Sequence, residues 1–362
     1  MRLITFYILS KVLRPLLFLV ISFTWSGVAF GQVTVCASGC NVTTIAAAQQ
    51  TATATPNEVI QINDNSITNE GLSLGAVNTS LTVQGGGGAI TWASSGNTLN
   101  IENTLLKPVT IKNLFLQHDT TGAGGLATFK WNGIGVGASI YFSSVTFNNT
   151  TASNYNARLS PAFVSTNQCV FDNCLFMGSS TSAHIRIENA SDATQSILCK
   201  NTLFKIDASL IGVNVVNASA GPAFFSQFCT YVLNSGTIAT AVLSPGPVSI
   251  TNCVFSCGAT EITMSGTGAN SNFLYCSFNS SPTTLGTGCI TGTTLAREFC
   301  DRKFYFLSPA AQSRNSGISI SGITGSTVRN GVIRGNGCTA GNDDMGYTPY
   351  SPALCGGYGT GK

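Results

Sequence analysis

Charge is scarce in this chain: Lys, Arg, Asp and Glu make up 9% of its 362 residues, the net charge is +3, and no basic cluster occurs. Nucleic acid and anionic membrane are therefore not expected as partners, since both are recognised through concentrated Lys and Arg. There are only 2 histidines, His118 and His184, and no paired Cys-x-x-Cys motifs, which removes the usual zinc ligand sets. No Asp-rich cluster suggests Ca²⁺, so neither a metal nor another cofactor is expected. No adjacent carboxylates are spaced to share acid and base roles in hydrolysis. Beyond the N-terminal segment no apolar run reaches the roughly 20 residues of a membrane-spanning helix. A regular Thr-x-Thr column, which ice binding would need, is also missing.

The N-terminus has the layout of an export signal over residues 1–31. Arg2, Lys11 and Arg14 precede the apolar run Leu16-Leu17-Phe18-Leu19-Val20-Ile21-Ser22-Phe23, and small residues follow at Gly27, Ala29 and Gly31. Cleavage after Ala29 or Gly31 fits this pattern. An uncleaved anchor would need a longer run, so the mature chain is expected to lack a membrane span. Export also makes sense of 13 cysteines, an odd number that leaves at least one thiol unpaired. Cys36 with Cys40, and Cys338 with Cys355, stand where disulfides could staple the two ends.

What the sequence does have is a repeat. Phe171-Asp172-Asn173 leads to Phe176, Cys199-Lys200-Asn201 to Phe204, and Ile250-Thr251-Asn252 to Phe255. Ile111-Lys112-Asn113 leads to Leu116, and Val328-Arg329-Asn330 to Ile333. Weaker copies run from Phe142 to Phe147, Phe228 to Leu233, Phe273 to Phe278 and Phe299 to Phe306. Leu81-Thr82-Val83-Gln84-Gly85 matches with Gly85 in the Asn place. A period of roughly 22 to 31 residues holds about three short strands with turns. Asn tolerates the left-handed conformation, so a bend there turns the apolar residue two before it and the Phe three after it inward. One such coil cannot bury its own face, whereas stacked coils can. An antiparallel sandwich of short strands is the alternative, but it gives no reason for one column to keep its chemistry. By the same phase Cys174, Cys253 and Cys276 face inward as small apolar filling, with a Cys253–Cys276 bridge as a further option.

The expected fold is thus all-β: a single right-handed parallel β-helix of about nine or ten coils over residues 32–335, with a Gly-rich tail over 336–362. An N-terminal cap spans about residues 36–62, where Thr43 to Ala52 reads as a short helix and Glu58-Val59-Ile60-Gln61-Ile62 as a strand. With the Thr-Ile-Ala-Ala-Ala helix, the Val-Ile-Gln-Ile strand and Leu81-Thr82-Val83-Gln84-Gly85-Gly86-Gly87 ahead of Asn-anchored coils, the chain resembles secreted β-helix proteins of the pectate-lyase-like superfamily. The resemblance covers about residues 36–335. It implies a fold far more than an activity, because that fold hosts lyases, hydrolases and adhesins alike. The family's hydrolase motifs, Asn-Thr-Asp, Asp-Asp and Gly-His-Gly, do not occur in order; Asp343-Asp344 stands alone in the tail.

Carbohydrate enzymes of this fold work on one outward sheet face, which makes Ala183-His184-Ile185-Arg186-Ile187-Glu188 the stretch of interest. Strict alternation puts Ile185 and Ile187 inward, with His184, Arg186 and Glu188 outward. Neighbouring coils are expected to add Lys130, Trp131, Asn214 and Glu261 as substrate-binding groups. A lyase needs a base for the proton α to a uronate carboxylate and a cation to hold that carboxylate. On this reading His184, Arg186 and Glu188 are the catalytic candidates. Outward charge on one strand is equally what solubility requires, and His118-Asp119 reads as a turn. Trp92, Trp131, Tyr347, Tyr350 and Tyr358 are candidates for stacking on sugar. The sequence therefore favours an exported, extracellular or cell-surface, non-catalytic binding or adhesion-type module acting through its long face. Its partner is expected to be a polysaccharide or another surface component, and the alternative is a lyase acting on acidic polysaccharide.

Overall fold

A computed structural model describes residues 31–292, apart from short connecting loops, and four short strands between 299 and 333. The chain winds as a parallel β-solenoid. Its first sheet has ten strands, from Gln32–Val35 to Asn272–Leu274; the second has nine, from Thr91–Ser94 to Ile290–Thr291; the third has eight, from Leu72–Leu74 to Ile262–Met264. Each strand pairs in parallel with its counterpart one coil away, as Val170 does with Tyr141 on one side and Leu198 on the other. The three sheets enclose one apolar core running along the axis.

The repeat seen in the sequence becomes files of stacked side chains. In the first sheet Val83, Ile111, Phe142, Phe171, Cys199, Ser226, Ile250 and Phe273 lie in register, all buried. In the second, Phe147, Phe176, Phe204, Tyr231, Phe255 and Phe278 stack face over face, with centroids 4.7, 4.9, 4.5, 4.7 and 4.9 Å apart. Those spacings are the strand spacing of a sheet. Each buried ring contributes about 1.5 to 3 kcal/mol through the water it no longer meets, so the ladder is a main source of stability.

Between the first and second sheets the chain turns through a left-handed residue. Asn113, Ser144, Asn173, Asn201, Phe228, Asn252 and Tyr275 all have positive φ, between 48° and 56°. They form one file, because each donates its N–H to the coil after it: Asn113 to Ser143 O, Ser144 to Asp172 O, Asn173 to Lys200 O and Asn201 to Gln227 O. The side chains join as well. Asn201 Nδ2 donates to Asn173 Oδ1 at 3.0 Å, and Asn173 Nδ2 to Ser144 Oγ at 2.9 Å. Gly85, which the sequence aligns with these corners, ends its strand without a positive φ; a Cβ there would lie 2.2 Å from Asn113 O, so a side chain is excluded. Phe228 corrects the repeat: it occupies the corner itself, and the inward pair of that coil is Ser226 and Tyr231, not Phe228 and Leu233.

At the N-terminal end Cys36 and Cys40 are disulfide-bonded. The helix Ile45–Ala52 follows, seated against the first strands. Its orphan amides are satisfied from outside: Glu70 accepts from Ile45 N at 2.9 Å and Ala46 N at 2.8 Å, and Thr44 Oγ1 from Ala47 N at 3.2 Å. A carboxylate at this end also suits the helix dipole. At the other end, Phe299–Asp301 pairs with Phe306–Leu307 and Val328–Arg329 with Val332–Ile333, both antiparallel. The expected repeat copies at these positions are therefore short hairpin pairings rather than coils. Asn330, Cys338, Cys355 and residues 1–30 lie outside the described residues.

Candidate functional site

The outer face of the third sheet carries the charged residues that the sequence singled out. Register places Asn100, Lys130, Arg158, Arg186, Asn214 and Leu243 in one file, each on the next coil, with Asn100 buried at its start. Lys130, Arg158, Arg186 and Asn214 are all half-buried. Lys130, Arg186 and Asn214 are thus brought together as expected in position. Arg158, on the strand Asn154–Leu159, joins the file without having been singled out in the sequence.

Glu188 stands beside this file and links two of its members. It accepts from Arg158 Nε at 3.1 Å and from Arg186 Nε at 2.6 Å, and it also takes a very short hydrogen bond from Ser160 Oγ. Burial raises the Glu188 pKa, but the hydrogen bonds from Ser160, Arg186 and Arg158 outweigh it and hold the carboxyl below its ordinary value. Burial likewise opposes the Arg186 charge, while Glu188 and Tyr155 more than restore it. Arg186 lies over the Tyr155 ring, 5.4 Å from its centroid, and donates to the Tyr155 hydroxyl at 3.2 Å. With side-chain exposures of 30% and 29%, Arg158 and Arg186 remain open to an approaching anion. Arg186 and Asn214 also line a shallow hollow of about 300 Å³ with Val215, Val216, Leu243, Pro245 and Ser265.

No protein-family model matches this chain, and neither the curated proteins nor the solved structures give a match.

Three expected site residues are not on this face. His184 is fully buried, as are Trp131 and, at 2% exposure, Glu261. The strict alternation fails because the strands of this sheet bend: His184 and Ile185 are both buried, as are Asn156 and Ala157, and Thr128 and Phe129 one and two coils back. Two successive inward residues mark the bend, after which alternation resumes at Arg186. Met177 O accepts from Asn156 Nδ2 at 2.9 Å, which fixes that amide. The same Nδ2 therefore donates to His184 Nδ1 at 2.8 Å, and His184 Nε2 carries the proton that it donates to Lys205 O at 2.8 Å. Burial drives the His184 pKa down to about 4, against the raising effects of Lys205 O and Asp207. It is a neutral structural imidazole rather than a surface base.

His118 is built alike with the opposite tautomer. It is buried, donates from Nδ1 to Gly96 O at 2.7 Å, and accepts at Nε2 from Asn154 Nδ2 at 3.0 Å. Glu261 is a loop clamp, accepting Cys257 N and Asn279 N at 2.8 Å each. Trp92 is also fully buried and donates to Glu70 O at 2.6 Å, so it too is unavailable for stacking on sugar. Among the described residues no group of His, Cys, Asp and Glu converges as metal ligands would, and no helix is long and apolar enough to cross a membrane. A second hollow, of about 510 Å³, opens where Gly85, Gly86 and Gly87 meet Asn113, Phe115 and Ser144, with no charged side chain in its lining.

Proposed function

We propose that this chain is an exported β-helix protein, right-handed and akin to the pectate-lyase-like superfamily, that binds an extended acidic glycan along the outer face of its third sheet without cleaving it. The single observation that carries this reading is the file Lys130, Arg158, Arg186, Asn214 on successive coils. Strand spacing sets those groups about 4.8 Å apart, and a linear polymer with a carboxylate on each sugar can lie along them. Arg158 and Arg186 are pre-positioned by Glu188, so less side-chain freedom is lost on binding. The Tyr155 ring beneath Arg186 adds a flat surface.

The lyase alternative requires a base poised at the carbon next to the carboxylate. Of the two groups expected to assist, His184 is buried and hydrogen-bonded at both ring nitrogens. Glu188 is engaged by two arginines and a serine, which lowers its basicity. Neither favours proton abstraction.

The test is titration calorimetry of the full chain with polygalacturonate and with neutral dextran, beside an absorbance assay for unsaturated products. Salt-sensitive binding of the acidic polymer, weakened about tenfold or more by R158A/R186A, with no product formed, is the expected result. Equal affinity for dextran, or no affinity for any acidic polysaccharide tried, would remove the binding reading. Product formation lost in R186A would restore the lyase.

A further inference from the structure

Directly after each left-handed corner comes an inward position, and over the last coils it is filled by thiols. Cys229, Cys253 and Cys276 follow Phe228, Asn252 and Tyr275, and Cys289 follows Gly288, whose φ is 72°. They are stacked one coil apart: Cys229 N–H points at Cys253 Sγ at 3.4 Å, and Cys276 N–H at Cys289 Sγ at 3.5 Å. The sulfurs also lie near backbone carbonyls, Cys276 Sγ 3.5 Å from Ile250 O and 3.3 Å from Leu274 O, and Cys289 Sγ 3.5 Å from Phe273 O. The first three are buried, and Cys289, at the end of the file, is the one with partial exposure. Parallel pairing of Ser277 with Ile290 holds Cys276 and Cys289 as direct neighbours across two coils. Neighbouring strands are about 4.8 Å apart, within the Cα separations that a disulfide spans.

From this arrangement we infer that Cys276 and Cys289 form a thiol–disulfide exchange site, which a small-molecule disulfide closes into a bond locking the last two coils together. The Cys289 thiolate attacks one sulfur of the incoming disulfide, forming a mixed disulfide and expelling a thiolate. Cys276 gives its proton to that thiolate and attacks Cys289 Sγ, breaking the mixed disulfide and releasing the second thiolate, which is protonated from solvent. Two protein thiols are oxidised and one external disulfide is reduced to two thiols.

Cys289 suits the role of attacking group. The Cys276 thiol and backbone N–H donate to its sulfur, and these outweigh burial to bring its pKa down to about 6. Cys276, buried and paired with it, is pushed well above the ordinary thiol range by burial and is unreactive until Cys289 is capped. The solenoid ends here among the described parallel strands, and a terminal coil is where a stack frays first.

The reduced full-length chain is treated with oxidised glutathione, digested and mapped by mass spectrometry, with iodoacetamide labelling at pH 6.5 alongside. The expected result is a Cys276–Cys289 linked peptide, and alkylation of Cys289 about tenfold faster than of an ordinary thiol at that pH. C276S is expected to stop at a glutathione adduct on residue 289, and C289S to leave Cys276 unmodified. Circular dichroism confirms that each variant is folded, and the wild-type map needs no variant. The inference is overturned if wild-type Cys289 remains unlinked, if it links to a different cysteine, or if folded C289S reacts at Cys276 at the wild-type rate.

Discussion

The rings of Phe204 and Tyr231 lie 4.5 Å apart with their planes 2° from parallel, and the Tyr231 hydroxyl meets Ser226 Oγ at 2.8 Å within the core. A phenol therefore takes a place in the aromatic ladder that phenylalanine holds in the coils on either side, and its polar end is answered from the first sheet. Tyr231→Phe keeps the stack and removes one buried hydrogen bond, so a loss of about 1 kcal/mol is expected. Tyr231→Ala opens a cavity between Phe204 and Phe255 and is expected to cost about 3 to 5 kcal/mol. Urea denaturation of the two variants checks both; equal losses would mean that stacking is not what the ring supplies.

The corner file separates conformation from hydrogen bonding. Asn173 has a φ of 56°, donates to Ser144 and accepts from Asn201. Asn173→Gly and Asn173→Ala both lose these two bonds, but only alanine must force a Cβ into the left-handed region. Alanine is therefore expected to be less stable than glycine there by about 1 kcal/mol, read from denaturation midpoints. The reverse order would show that backbone strain does not govern the corner.

Why the sequence yields the coil and not the site follows from the same geometry. Phe147, Phe176, Phe204, Phe255 and Phe278 repeat because each sits on another ring, and Asn113, Asn173, Asn201 and Asn252 because each occupies one strained bend. These constraints act at every coil and so leave a period. Ser144, Phe228 and Tyr275 fill the same bend with other residues, yet Phe142 to Phe147 and Phe273 to Phe278 stay in phase around the first and the last. Phe228 shifted the assignment of its coil by two residues. The outward file was legible at Lys130, Arg186 and Asn214, where alternation holds. It failed at His184 because the strand bends between consecutive inward residues, a turn that no period-two pattern announces.

His184 makes the fold sensitive to acid. Its ordinary pKa of 6.5 falls to about 4 in the folded chain, chiefly by burial. Above pH 6.5 neither state holds the proton. Between 6.5 and about 4 the unfolded chain is protonated and the folded chain is not, so stability declines as pH falls. At about 1.4 kcal/mol per unit the total is about 3 kcal/mol, and below pH 4 the loss levels off. Glu188, lowered from 4.5, adds a decline of the same sign only at more acid pH. His184→Gln is expected to flatten the slope between pH 6.5 and 4.5 while lowering stability at pH 7. An unchanged slope in a folded variant would assign the effect to other groups.

The carboxylate of Glu188 orders the cationic file and also cancels part of its charge, and the two effects pull binding in opposite directions. Neutralising it as Glu188→Gln keeps the shape and one acceptor for Arg158 or Arg186. The pairs are partly open to solvent, so their loss is expected to cost no more than about 1 kcal/mol of stability. An acidic polymer gains a file with one more net positive charge. Affinity for polygalacturonate at low salt is therefore expected to rise about two- to fivefold, with the gain fading above about 0.15 M salt as screening sets in. Calorimetry across a salt series distinguishes the outcomes. Weaker binding at every salt concentration would mean that holding Arg158 and Arg186 in place matters more than the charge they expose, and R158K/R186K would then lose affinity although its charge is unchanged.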